Sequence, residues 1–331
     1  LPCFVPVTLF TPYPVPSPPC TLILVMAILR STFISLSRNQ PLRRFSEASA
    51  AGRRVSSRFV AGLEIEDVLR ATAALNRERL MATLDSLGEN VHTPEEAQQS
   101  AAIYHQLLEA IRERGLDANV SVKLTQMGME LSPGLAEQIV GSLVEHARSV
   151  GTFVRVDMEG SEYTQATLDL VCRLHGQFPG SVGVVIQSYL RRSAEDVAML
   201  VREGIRVRLC KGAYQEPAAI AFPEKSEVDA NYVRLTEVLL TSGVYPGIAT
   251  HDPAMLAAAR RIVAERKLEH GSFEFQMLYG VRRDLQRQLI AEGYRVRVYV
   301  PFGREWYPYF MRRLAERPAN VLFLARNFFR S

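Results

Sequence analysis

The feature that most limits what this chain can become is an alternation that begins near Met81 and repeats eight times: a short apolar or β-branched run, a polar residue, a loop, then a helical stretch. The runs are Ala82–Leu87, Val120–Leu124, Phe153–Val156, Val182–Ile186, Ile205–Leu209, Gly247–Ala249, Phe273–Phe275 and Val296–Val300. Stretches with apolar residues at helical spacing follow them: Pro94–Arg114, Gly134–Val150, Tyr163–His175, Ala194–Glu203, Val228–Ser242, Pro253–Arg266, Arg283–Glu292 and Glu305–Arg317. Strand and helix in alternation predict a parallel sheet. Eight units predict closure into an α/β barrel, since no G-x-G-x-x-G marks an open nucleotide-binding sheet. Pro94 and Pro253 sit near helix starts, where proline is tolerated. Gly115, Gly151, Gly176, Gly204, Gly243 and Gly293 follow helices, where a left-handed cap favours glycine. Two amphipathic helices, Leu42–Arg54 and Ile65–Leu80, are expected ahead of the barrel, which together with them occupies residues 42–331.

Residues 1–41 read differently. The first twenty are apolar and proline-rich, and Thr21–Leu29 is an apolar run ended by Arg30, far short of the ~20 residues that span a bilayer. No basic residue precedes that run, as a secretory signal requires. Val25-Met26-Ala27 offers a start, so residues 1–25 are expected to be upstream sequence, with a peripheral membrane contact as the competing reading. The cysteines, Cys3, Cys20, Cys172 and Cys210, form no C-x-x-C pair, and a reducing, cytoplasmic setting is the expectation. A net charge of +4 with no Lys/Arg block argues against a nucleic-acid partner.

Barrel enzymes place their chemistry at the C-terminal ends of the strands. The residues there are Asp85 and Glu89 on the first strand, Lys123 and Gln126 on the second, Asp157 and Glu159 on the third, and Gln187 on the fourth. The fifth carries Arg208 and then Lys211-Gly212-Ala213-Tyr214, the sixth Thr250-His251-Asp252, the seventh Glu274 and Gln276, the eighth Arg297 and Tyr299. Nearly every strand thus delivers a polar group to one rim. Singly each could be a satisfied loop residue; as a set they point to a site, because charges within apolar strands are costly to bury. The last helix sets Arg312 and Arg313 side by side among Trp306, Tyr307 and Tyr309, with Glu316 within reach of both. A surface ion pair is one reading; a paired guanidinium clamp for a carboxylate is the other. No H-x-H on the first strand and no H-E-x-x-H occur, so a metal is not expected; G-x-S-x-G and Walker loops are absent too. Lys123 or Lys211 as a Schiff-base lysine stays open, as does a non-enzymatic binding barrel.

Five segments carry a resemblance: Val120-Ser121-Val122-Lys123-Leu124-Thr125-Gln126, Arg208-Leu209-Cys210-Lys211-Gly212-Ala213-Tyr214, Ala249-Thr250-His251-Asp252, Phe273-Glu274-Phe275-Gln276-Met277-Leu278-Tyr279-Gly280 and Tyr309-Phe310-Met311-Arg312-Arg313-Leu314-Ala315-Glu316. In this order, over residues 42–330, the chain resembles the proline dehydrogenases, most of all the single-function bacterial ones. The resemblance implies a distorted (β/α)8 barrel with its last helix over the mouth, non-covalent FAD, oxidation of L-proline to Δ1-pyrroline-5-carboxylate, and a membrane quinone as electron acceptor. It further implies that Arg312, Arg313 and Lys123 hold the proline carboxylate, and that Asp157 and Tyr299 shape the pocket while Tyr214, Leu278 and Tyr309 pack around the ring. By the same likeness Arg208 lies beside the flavin and Gln187 hydrogen-bonds it. Lys211, Gly212 and Ala213 line its diphosphate and ribityl region, and Met158, Thr250, His251, Gln276 and Glu316 complete its surround.

Overall fold

The structure, a computed structural model, describes residues 56–88 and 90–316 together with Ser46, Ser49 and Gly52. The chain divides into two compact units, Ser46–Trp306 and a second made of Leu1–Phe45 and Tyr307–Ser331. In the first unit eight parallel strands close into a barrel in sequence order: β1 (Met81–Ser86), β2 (Ala118–Val122), β3 (Val154–Val156), β4 (Val182–Gln187), β5 (Arg206–Cys210), β6 (Gly247–Ala249), β7 (Glu274–Leu278) and β8 (Val296–Phe302). The seam is the longest pairing, from Met81 opposite Arg297 to Ser86 opposite Phe302. The helices are α1 (Ile65–Arg77), α2 (Pro94–Glu113), α3 (Pro133–Ser149), α4 (Thr164–Gln177), α5 (Ser193–Arg202), α6 (Lys225–Ser242), α7 (Pro253–Arg266), α8 (Arg283–Ala291) and, reaching into the second unit, α9 (Trp306–Glu316). The expected helix Leu42–Arg54 and the extension before it fall almost wholly outside the described residues.

A strand side chain points alternately to the two faces of its sheet, and here the two faces have opposite chemistry. The outward set, including Leu84, Val120, Val122, Val154, Val184, Leu209, Ile248, Phe275, Val298 and Val300, is buried in one continuous apolar core. Each such side chain contributes about 1.5–3 kcal/mol on burial. The inward set is polar: Thr83, Asp85, Asn119, Ser121, Arg155, Arg208, Glu274, Gln276 and Arg297 are all buried. Ends of helices follow local rules. Thr93 Oγ1 accepts from Glu96 N ahead of Pro94, and Asp252 Oδ1 accepts from Ala254 N ahead of Pro253. Gly115, Gly151, Gly204 and Gly293 take positive φ as expected of caps, whereas Gly176 lies inside α4 and Gly243 has φ −82°.

Several boundaries shift from the sequence reading, and three of the shifts have a visible cause. β2 ends at Val122, because the chain turns there with Met127 N donating to Lys123 O, so Lys123 follows the strand. β7 runs Glu274–Leu278, since pairing with β8 continues to Leu278 opposite Tyr299. α1 stops at Arg77, where Leu80 N turns back to Leu75 O and Arg79 takes φ +64°.

Glu274 and Arg297 also belong elsewhere than the rim. They begin their strands, and they meet deep in the barrel: Arg297 Nε donates to Glu274 Oε1 at 2.7 Å, and Nη1 donates to Ala82 O and Asn119 Oδ1. Burial alone would push the Glu274 carboxyl up, but the Arg297 charge and hydrogen bond outweigh it and hold the group below its ordinary value. Arg297→Met should therefore cost about 3–5 kcal/mol in a urea melt, the penalty for stranding a buried charge, and Glu274→Gln placed on that background should recover most of it. Because the folded carboxyl is depressed, its stabilisation is present above the unfolded value of about 4.3 and is lost as pH falls through the lower folded value. The double variant should accordingly lose less stability on acidification than the parent, measured by melts between neutral pH and pH 3.

Candidate active site

The C-terminal half of the barrel is organised around one carboxylate. Asp157, the residue after β3, accepts from Arg208 Nη1 of β5 at 2.9 Å and from Ser121 Oγ of β2 at 2.6 Å through one oxygen. Its other oxygen accepts from Tyr299 OH of β8 at 2.8 Å. Arg208 Nε donates to Gln276 Oε1 of β7 at 2.5 Å, and the guanidinium carbon stands 5.2 Å from the Tyr299 ring centroid. Gln276 in turn donates to Glu274, which links this layer to the deeper one. The remaining guanidinium nitrogen, Arg208 Nη2, is buried and has no acceptor among the described residues. Burial, then the charges of Asp157 and Asp85, push the Tyr299 phenol well above its ordinary value.

Beside this hub Lys123 Nζ meets Asp85 Oδ1 at 2.8 Å, with both side chains almost wholly buried. Burial raises the Asp85 carboxyl, and Lys123 opposes that rise. Loops leaving neighbouring strands are fastened to one another. Glu159 accepts from Thr125 N at 3.1 Å and from Thr125 Oγ1 at 2.6 Å, and Gln187 Nε2 donates to Glu159 O at 2.8 Å. Met158, between Asp157 and Glu159, is buried. Lys211 Nζ donates to Asp229 and, at 2.7 Å, to Asp252. Thr250 Oγ1 accepts from Asp252 N, and His251 Nε2 accepts from Leu278 N at 3.0 Å. Gly212 takes φ +112°, and a Cβ there would stand 2.3 Å from the Tyr189 ring, so only glycine fits. Lys123 and Lys211 are both ion-paired, which suits cationic anchors and not a neutral Schiff-base nucleophile.

Asp157, Arg208, Tyr299 and Gln276 are thus brought together directly, with Gln187, Met158, Lys123, Lys211, Gly212, Thr250, His251 and Leu278 on the strand ends and loops of the same rim. Ala213 and Tyr214 are exposed, Tyr214 by 45%. Tyr309, Arg312 and Arg313 lie on the part of α9 in the second unit, where the Arg313 guanidinium is 4.9 Å from the Tyr309 ring centroid; the Glu316 side chain and Glu89 fall outside the described residues. Sequence reasoning missed the role of Ser121 in the hub; it expected Lys123 to pair with acidic neighbours but did not single out Asp85 as the partner. The signal available was the period of two in β1 and β2, where Thr83 and Asp85, and Asn119 and Ser121, alternate with apolar neighbours.

Known proteins resemble this chain over most of its length. The sequence profile of the proline dehydrogenases matches residues 68–326. Proline dehydrogenase 1 of Bacillus subtilis subsp. natto is 42% identical over 300 residues, covering 90% of this chain and 98% of the relative. The chain belongs to the proline dehydrogenase family. Proline dehydrogenase of Deinococcus radiodurans is likewise 42% identical over 276 residues, covering 82% of this chain and 89% of that one. A crystal structure of proline utilization A (PutA) from Bdellovibrio bacteriovorus inactivated by N-propargylglycine superimposes with a TM-score of 0.76 at 26% identity, over 87% of this chain and 36% of that longer one. Membership in the proline dehydrogenases brings with it that activity and a flavin. Among the described residues no helix is long and apolar enough to cross a membrane.

The buried Tyr299 phenol supplies a test. A phenol whose folded pKa is raised stays protonated past pH 10, and stability falls as alkali ionises the unfolded chain first. Tyr299 should therefore give no absorbance change at 295 nm until the protein unfolds, and Tyr299→Phe should remove one late-titrating phenol. An unchanged number of late phenols in that variant would contradict the buried hydrogen bond to Asp157.

Proposed function

We propose that the enzyme oxidises L-proline to Δ1-pyrroline-5-carboxylate with bound FAD and delivers the electrons to a quinone. One observation carries the reading: the Arg208–Asp157–Tyr299 hub, with Arg208 Nη2 buried and lacking an acceptor among the described residues. A buried guanidinium nitrogen with no partner is costly, and a flavin ring edge supplies nitrogen and oxygen acceptors. The residues present therefore fit the group. Bound there, the flavin supplies the hydride acceptor.

The chain's own residues supply position and field. Asp157 has both oxygens engaged by three donors, so it orients Arg208 and Tyr299. Arg208 sets a positive charge beside the ring and would favour electron density there. Gln187 and Gln276 flank it; Lys211, Gly212, Ala213, Met158, Thr250, His251 and Glu316 hold the rest of the cofactor. Arg312 and Arg313 take the proline carboxylate, with Lys123 as a third cation, a task that planar guanidinium forks suit. Tyr214, Leu278 and Tyr309 surround the ring. Anchoring one end of a small ring fixes the reacting carbon at the other, which lowers the entropic part of the barrier.

Anaerobic addition of proline should bleach the flavin absorbance, with a quinone analogue restoring it; protein that stays colourless after FAD is supplied would defeat the reading. Arg312→Met should raise the KM for proline about 10- to 100-fold, equivalent to ~1.5–3 kcal/mol for a hydrogen bond between charged groups, and an unchanged KM would remove Arg312 from the carboxylate site. N-Propargylglycine shares the carboxylate and secondary amine of proline. Time-dependent inactivation by it, blocked by excess proline, is expected here as well.

A further inference from the structure

The loop between β5 and α6 carries Lys211 to Tyr214 and continues to Pro223 with most of its residues exposed. A segment with so little apolar burial depends on a few polar contacts to stay in place. At its root Gly212 is pressed against the Tyr189 ring. At its far end the backbone joins the β4–α5 segment: Arg191 N donates to Ile220 O, Phe222 N donates to Tyr189 O, and Arg191 Nε donates to Ala218 O at 2.9 Å. Besides Lys211, which reaches Asp229 and Asp252, the Glu216 side chain reaches the loop after β3. Glu216 Oε1 accepts from the backbone N of Ser161 at 2.8 Å, and its Oε2 accepts from Ser161 Oγ at 2.6 Å. Ser161 opens a single 3-10 turn, Ser161–Tyr163, four residues after the hub carboxylate Asp157. A two-point clasp thus joins the segment proposed to line the flavin to the loop that carries Asp157. The Tyr189 hydroxyl, buried beside this clasp, has no partner among the described residues, and burial with the nearby Glu216 charge keeps it protonated.

We propose that Glu216 is a positioning residue: its clasp on Ser161 latches the β5–α6 loop across the rim toward β3 and so places Gly212, Ala213 and Tyr214 for cofactor and substrate. The placement rests on the flavin reading above; the latch itself does not. A carboxylate accepting two hydrogen bonds from one residue holds direction as well as distance. Glutamine can reproduce that shape, with its oxygen accepting from Ser161 N and its amide donating to Ser161 Oγ. Alanine removes both contacts.

The test uses the full chain prepared without flavin, as wild type, Glu216→Ala, Glu216→Gln and Ser161→Ala. Chymotrypsin cleavage after Tyr214 is followed first; FAD dissociation and proline kinetics are measured after reconstitution. Glu216→Ala should be cut at least tenfold faster than wild type, Ser161→Ala at an intermediate rate, and Glu216→Gln within twofold of wild type. In Glu216→Ala the KM for proline and the FAD dissociation constant should each rise at least fivefold with kcat within twofold, and Glu216→Gln should restore both. Wild-type cleavage rates in Glu216→Ala and Ser161→Ala would overturn the latch, as would a Glu216→Gln protein that behaves like Glu216→Ala. Should Glu216→Ala not fold, the intermediate cleavage of Ser161→Ala decides the matter alone. Faster cleavage with unchanged KM and FAD dissociation would overturn the positioning role. Cleavage is read before flavin is present, so a protein that fails to oxidise proline would count against the function while the cleavage rates still decide whether the latch exists.

Discussion

The ion pair between Arg208 and Asp157 is the contact on which the upper barrel depends. It joins β5 to the end of β3 at 2.9 Å, and the same two residues recruit Ser121 from β2, Tyr299 from β8 and Gln276 from β7. Two buried charges repay their desolvation only when geometry is good and the remaining lone pairs and protons are satisfied. On Asp157 both oxygens are engaged. On Arg208 one nitrogen has no acceptor among the described residues, so there the carboxylate is satisfied and the guanidinium is not. That asymmetry fixes where a ligand acceptor is wanted.

The rest of the barrel interior follows the same economy of charge. Glu274 with Arg297, and Asp85 with Lys123, are near-neutral pairs, while the buried Arg155 guanidinium is held by the backbone carbonyls of Val184 and Arg206. Outside the strands the opposite rule holds, with aliphatic side chains packed against helices in one continuous core. The barrel is therefore stabilised from its outer face, while its inner face is given over to chemistry at some cost in stability. Enzymes commonly accept that exchange.

The order of elements was legible from periodicity because a strand that packs helices on one side and polar groups on the other must alternate. Val296-Arg297-Val298-Tyr299-Val300 says so openly. The depth of each polar residue was not legible. Arg297 and Tyr299 read alike along the strand, yet one pairs with Glu274 near the strand start and the other with Asp157 near the rim. Depth depends on the stagger between strands, and stagger is a property of closure, not of any local segment. The loop clasps at Thr125 and Ser161 were hidden for a similar reason: their partners, Glu159 and Glu216, are 34 and 55 residues away. Gly212 enters the sequence reading only through the resemblance, and the Tyr189 ring it is pressed against was not legible there.

The deep layer of Arg297, Glu274, Asn119 and Thr83 stoppers the barrel from beneath. With that layer filled by buried, paired side chains, the Arg208 hub is shut off from the N-terminal side of the barrel, and a ligand meets it from the side where the strands end.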